Sequence, residues 1–181
     1  PNGFRITNVS VITGSGQASK IDVLITNLTQ YQAYRNAATG FFGNFPQINI
    51  ETPHDDEAIT WRETEFRLSL LNSTDSSLVK LAGFSISIFD LDQADPEGDG
   101  QECVSFPKAN PDSGIKKMEY LTDDHARVSV GPDPLNAGWE RACSTNPGVG
   151  SDNPHDAMAL TDEQRAKAIS VVYENKSTLR F

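Results

Sequence analysis

The amino-acid sequence predicts a mostly β protein: a two-sheet, jelly-roll-like β-sandwich with one short helix near its C-terminus. Three observations point there. Apolar residues alternate with polar ones in several short runs, the period of a half-buried strand. Clusters of Gly, Pro, Asn and Asp punctuate those runs. Only one stretch carries a helix start signal.

The runs come in order. Phe4 to Thr13 opens as a first strand. Ile21, Val23 and Ile25 alternate with Asp22, Leu24 and Thr26 in a second. The stretch from Tyr31 to Pro46 is aromatic and Gly-rich, with Tyr34, Phe41, Phe42 and Phe45, and reads as a loop packed on the core. Ile48 and Ile50 begin another short strand. Phe66, Leu68 and Leu70 follow, then a turn over Asn72 to Ser77, then Phe84, Ile86 and Ile88 alternating with Ser85 and Ser87. Ile86 and Ile88 are expected in the core on the face of Phe84. Val128 and Val130 mark a later strand, Ile169, Val171 and Tyr173 another, and Leu179 and Phe181 close the chain. Thr161 with Gln164 three residues on forms a capping box, and Asp162 and Glu163 suit the positive end of a helix dipole. That helix is expected to last two or three turns.

The 181 residues fit one domain, 1–181, with no repeat and no low-complexity tract. With 37% hydrophobic and 22% charged residues the composition is that of a globular chain. The 25 acids against 15 bases leave a formal charge of −10. That sign argues against nucleic acid as a partner, because phosphates call for Lys and Arg. It disfavours an anionic membrane surface and favours cations. No apolar run reaches the length of a membrane span. The sequence starts at Pro1 rather than Met, and it is expected to be a processed product, its signal peptide removed, or a domain cut from a longer protein.

Two further features suggest an extracellular setting. Cys103 and Cys143 are expected to form a disulfide, the alternative being two buried free thiols. Four N-glycosylation sequons start at Asn8, Asn27, Asn72 and Asn175. Each can equally be an unmodified polar strand or turn residue.

The stretch Asp90 to Glu102 holds six carboxylates and neither Lys nor Arg. Such groups repel one another unless a cation or solvent screens them. Calcium takes six to eight oxygen ligands from flexible loops rich in Asp and Gly. Asp90 and Asp92 share one side of an extended strand end. A second loop, Gly148 to Asp156, adds the oxygens of Asp152 and Asn153. A calcium site made of Asp90, Asp92, Glu102, Asp152 and Asn153 is therefore expected, against the plainer reading of a solvated acidic turn and an Asx-type turn. The spacing is not that of an EF-hand. His54, His125 and His155 lack paired metal spacing and read as surface residues.

No nucleophile elbow, zinc-binding helix motif or P-loop is present. Two carboxylates acting on a glycosidic bond remain an open alternative, since their separation is set in three dimensions. Trp61, Trp139 and Tyr31 are the candidates for stacking on a sugar, each also at home on a sheet face.

Several stretches carry a resemblance. Ile21 to Tyr34 (IDVLITNLTQYQAY) is followed by Gly40 to Asn49 (GFFGNFPQIN), by Phe66 to Leu70, by FSISIFDLDQ, by Gln101-Glu102-Cys103, and by the GSDNP stretch that begins the C-terminal segment. Together they resemble an uncharacterised type of extracellular domain of diatoms, oomycetes and dinoflagellates. The resemblance spans most of the chain. It implies a secreted or surface setting and brings no activity with it.

The expectation is thus a non-enzymatic extracellular structural or adhesive module, stabilised by calcium and able to assemble into a surface coat or filament. A calcium-dependent carbohydrate-binding module and a carboxylate-based hydrolase are the alternatives. Partners would be calcium, further copies of the chain or surface glycans.

Overall fold

A computed structural model describes residues 3–12, 18–33, 39–42, 45–51, 62–93, 100–110, 113–148 and 153–181. Strands take up 54% of these and helix 3%, so sheets carry the core. Among the described residues four antiparallel sheets are formed. The first orders β1 (Gly3–Ile12), β2 (Ala18–Asn27), β5 (Phe66–Asn72) and β12 (Thr178–Arg180) as β1-β2-β5-β12. The second orders β7 (Cys103–Pro107), β9 (Val128–Pro132) and β10 (Trp139–Ser144) as β7-β10-β9. The third orders β6 (Leu81–Ile88), β8 (Ile115–Glu119) and β11 (Ile169–Lys176) as β6-β11-β8. The last is the small pair β3 (Gly40–Phe42) and β4 (Phe45–Gln47).

Of the strands β6 to β11, β6, β8 and β11 join one three-stranded sheet and β7, β9 and β10 the other, so the chain crosses between them repeatedly. The β6–β11 ladder continues into the four-stranded sheet. Beyond Lys176 the chain of β11 runs on as β12 and pairs with β5, while β6 follows β5 after the turn at Asn72 to Ser77. One hydrophobic cluster draws on all three larger sheets. It includes Ile21, Ile25, Phe66, Leu68 and Leu70, then Phe106, Val128 and Ala142, then Ile115, Ile169, Val171 and Tyr173. The central strand β11 is the most deeply set, with Ile169, Val171 and Tyr173 each at most 1% exposed. Phe84 stacks on Tyr173 at 5.3 Å between ring centroids.

The alternating runs fold as read: β1, β2, β5, β6, β9, β11 and β12 all lie where the period-two pattern sits. Phe84, Ile86 and Ile88 do share the inward face, but all three are half-buried, because β6 is the edge of its sheet. The aromatic stretch holds the β3–β4 pair rather than only loop, and Ile50 makes a single bridge to Ala33 instead of starting a strand. The helix α1 (Asp162–Ala166) has its capping box: Thr161 accepts from the Gln164 N–H and the Gln164 side chain accepts from the Thr161 N–H. It ends after five residues, shorter than expected. Ala166 and Lys167 turn inward there, and Ile169 has already joined β11.

Tertiary bonds decide the remaining turns. Asn8 sits at φ +58° where the β1–β2 register shifts between Ile6 and Val9. Its backbone N–H donates to buried Asp22, which also accepts from Ser73 Oγ at 2.6 Å and from Arg5 Nε at 2.8 Å. The hydrogen bonds from Ser73 and Asn8, then the Arg5 contact, outweigh burial and hold the Asp22 carboxyl below its usual range.

Candidate functional site

The acidic stretch leaves β6 through Asp90, which takes φ +64°, a left-handed turn that Asp tolerates better than bulkier residues. The turn sets Leu91 into the core and starts a seam of three segments. The Leu91 N–H donates to Lys167 O at 3.2 Å. The Glu102 N–H donates to Asp92 O at 2.9 Å, and the Ser144 N–H to Glu102 O at 3.0 Å. The Gln93 N–H donates to Asn146 O, and the Gly148 N–H returns to Gln93 O. The Ser144 hydroxyl donates to Asp92 O, and the Gln101 amide reaches Ser144 O at 2.6 Å. Residues 90–93, 101–103 and 144–148 are thereby stitched together. The Cys103–Cys143 disulfide closes the seam on its strand side, linking directly opposed residues of β7 and β10.

The Asp92 side chain stands at the centre. Its carboxylate lies against Gly148, where an added Cβ would sit 1.9–2.0 Å from its Cγ and both oxygens. Only glycine leaves room for it. Lys167, at the C-cap of α1, extends its ammonium to 2.9 Å from Asp92 Oδ1. The Lys167 side chain is 3% exposed and that of Asp92 19%. The Asp92 N–H donates to Glu102 Oε2 at 3.1 Å. Glu102 is exposed as a residue, yet crowding of its carboxylate away from water pushes it up to about 7. The Asp92 N–H opposes that rise, and the Asp92 and Asp90 charges add to it.

Of the expected calcium ligands, Asp90, Asp92 and Glu102 are thus neighbours, and the second loop meets Asp92 through Gly148. Asp152 lies outside the described residues. Asn153 is half-buried, with its Oδ1 buried and without a hydrogen-bond partner among the described residues. Among those residues no three carboxylate, imidazole or thiol side chains converge as a metal-holding group. Asp95, Glu97, Asp99, His54 and Trp61 also lie outside the described residues. His125 and His155 are exposed.

Sequence reasoning missed Lys167. It counted no base inside Asp90–Glu102, and the base that meets Asp92 arrives from the far end of the chain. The available signal was a lysine at the end of a capped helix, where cations suit the dipole; it gave no hint of burial.

A second polar cluster ties Glu63 to the β7-β10-β9 sheet. Arg141 Nη2 is 3.0 Å from Asp133 Oδ1 and 3.3 Å from Glu63 Oε2, and its Nε donates to Ser105 Oγ. Asp133 also accepts from the Leu135 N–H at 2.8 Å and from Asn136. Burial alone would raise its carboxyl. The Ser105, Leu135 and Asn136 hydrogen bonds and the Arg141 charge bring it down to about 2 instead. Every strong polar group of this cluster has a partner, the pattern of a structural network.

The aromatic candidates are occupied structurally. Tyr31 binds Asn49 O at 2.9 Å through its hydroxyl and packs edge-on against Phe66. Trp139 is half-buried in β10. Of the sequon asparagines, Asn8 and Asn175 are exposed at positive φ, and Asn27 and Asn72 are half-buried.

Fold and site together define a mostly β protein of several antiparallel sheets, with a disulfide and a carboxylate-rich seam at one sheet end. No family model, no curated protein and no solved structure matches the chain.

Proposed function

We propose that this chain is a non-enzymatic extracellular module with a structural or adhesive role, built as a single jelly-roll-like β-sandwich. The observation that carries the reading is the seam itself. Backbone bonds from three segments, a cross-strand disulfide and a buried ion pair meet at one end of the sheets, an arrangement that resists unravelling. The repeated crossing of β6 to β11 between two three-stranded sheets supports the sandwich, since a jelly roll is built of two sheets that share the chain in this way. The disulfide and the exposed Asn8 and Asn175 sequons support the extracellular setting.

Association has a physical route. The ten-residue β1 is outermost in its sheet, and Ile12 at its end is 80% exposed. A long edge strand offers free backbone groups to another chain. Calcium belongs to the same proposal through Asp90, Glu102 and the open oxygen of Asn153, with Asp152. An ion that also uses Asp92 must displace the Lys167 ammonium. The test is sedimentation of the purified protein over a range of concentrations, with thermal melts, in calcium, in chelator and in magnesium. Concentration-dependent association and a calcium-specific rise in melting temperature are expected, because a ligand bound only to the folded state stabilises it by mass action. A monomer at every concentration removes the assembly role, and identical melts remove calcium.

A second reading, glycan binding, is favoured by one feature. An open groove of about 400 Å³ runs beside β6, β8 and β11 and joins Phe89 and Tyr120 to Glu119, Arg165, Ser87 and Ser170. Aromatic faces beside polar groups suit a sugar ring. Binding on a glycan array that Tyr120→Ala abolishes would move the function to this groove.

A further inference from the structure

The Asp92–Lys167 contact is an unusual ion pair. The ammonium is almost wholly removed from solvent, and the carboxylate oxygen it meets, Asp92 Oδ1, is buried too. At 2.9 Å the two atoms are within contact, yet Oδ1 accepts no hydrogen bond of proper geometry. The nitrogen is therefore not lodged along a well-aligned lone pair. Three restraints hold the groups in place. The Leu91 N–H bonds to Lys167 O, so the two backbones are fixed beside each other. The Asp92 carbonyl is held by the Glu102 N–H and the Ser144 hydroxyl. The Asp92 carboxylate is pressed onto Gly148 Cα, which has no side chain to push it away.

From this geometry we infer that Lys167 and Asp92 condense into an intramolecular isopeptide bond, Nζ to Cγ, which locks the end of α1 to the seam. The chemistry needs no oxidant and no cofactor. Removal from water favours the neutral forms of an ion pair. One proton passes from the ammonium to the carboxylate, leaving an amine and a carboxylic acid. The amine lone pair adds to Cγ and forms the C–N bond. The C–OH bond then breaks, and a second nitrogen proton goes with the departing hydroxyl as water. The Glu102 carboxyl accepts from the Asp92 backbone N–H at 3.1 Å, so one further carboxyl stands beside the reacting residue. One ammonium and one carboxylate thus become one amide and one water, with charge and atoms conserved. Enforced proximity drives such a step, because the two groups meet at an effective concentration far above that of free reactants. The product removes two buried charges and adds a covalent tie between residues distant in sequence.

This inference rests on the pair and not on calcium or on association, so each can fail alone. The test is the intact mass of the full chain, freed of glycans, reduced and denatured. The expected mass is one water below that of the sequence, and tryptic mapping should find the Asp92 and Lys167 peptides joined. Lys167→Arg keeps the positive charge but should show its full sequence mass. Asp92→Asn should lose ammonia instead of water and arrive at the same final mass as the wild type, since both give the same amide. A wild-type chain that melts cooperatively yet retains its full mass overturns the inference and leaves a structural ion pair. Water loss that persists in Lys167→Arg overturns it as well, because the dehydration then lies elsewhere.

Discussion

Asp133 shows how far a single side chain's chemistry depends on what folding brings to it. In the sequence it is one aspartate in a Gly-Pro-Asp-Pro turn. In the fold it is buried, with Arg141, Ser105, Leu135 and Asn136 around it. Its carboxyl titrates at about 2 when folded, against 3.8 as a free side chain. A depressed folded value stabilises the native state above the unfolded value, so that contribution is complete above about pH 4 and is lost as pH falls toward 2. Asp133→Asn should therefore flatten this part of the acid unfolding curve. At neutral pH it should cost about 3–5 kcal/mol, because Arg141 loses its buried countercharge. Urea midpoints at neutral and acid pH check both; an unchanged neutral midpoint would mean that Glu63 alone suffices for Arg141. Lys167 teaches the same lesson. Nothing in its neighbours Ala166 and Ala168 reveals that its charge is aimed at Asp92.

Among the elements, the strands that were legible are those with strict alternation, and the ones missed explain themselves. In β8 the sequence Ile-Lys-Lys-Met-Glu carries two adjacent lysines, and a register shift at Val172/Tyr173 breaks its period against β11. In β10, Trp-Glu-Arg-Ala-Cys-Ser buries only Ala142 and Ser144, and its arginine serves the Asp133 cluster. Both are recruited by neighbours rather than by their own pattern, as context-dependent β propensity allows. Alternation also identifies a face without telling how deep it lies. Ile169 on the central strand and Ile88 opposite it on the edge strand are directly paired, yet Ile169 is 1% exposed and Ile88 half-buried. Ile169→Ala should destabilise by about 2–5 kcal/mol through lost transfer energy and a cavity, and Ile88→Ala by clearly less. Equal losses in chemical denaturation would place both at the same depth.

For the whole molecule, the disulfide and the shared cluster set the stability. The Cys103–Cys143 bridge spans a sequence separation of 40. By chain entropy a loop of that size contributes about 4 kcal/mol. Reduction should lower the melting temperature by a corresponding amount without abolishing folding, because the cluster drawn from three sheets persists. Complete unfolding on reduction would show that the bridge, and not the core, holds the fold. The sequence by itself determined the β class, the inward faces of the alternating strands and the start of the helix. These follow from local period and capping chemistry, whereas the cysteines left free thiols open until the structure placed them opposite each other. Only the tertiary structure decided which sheet each strand joins, how early the helix stops, and that Asp92 faces a lysine. Strand partners and buried charge pairs are contacts between residues far apart in the chain, and no local pattern encodes them.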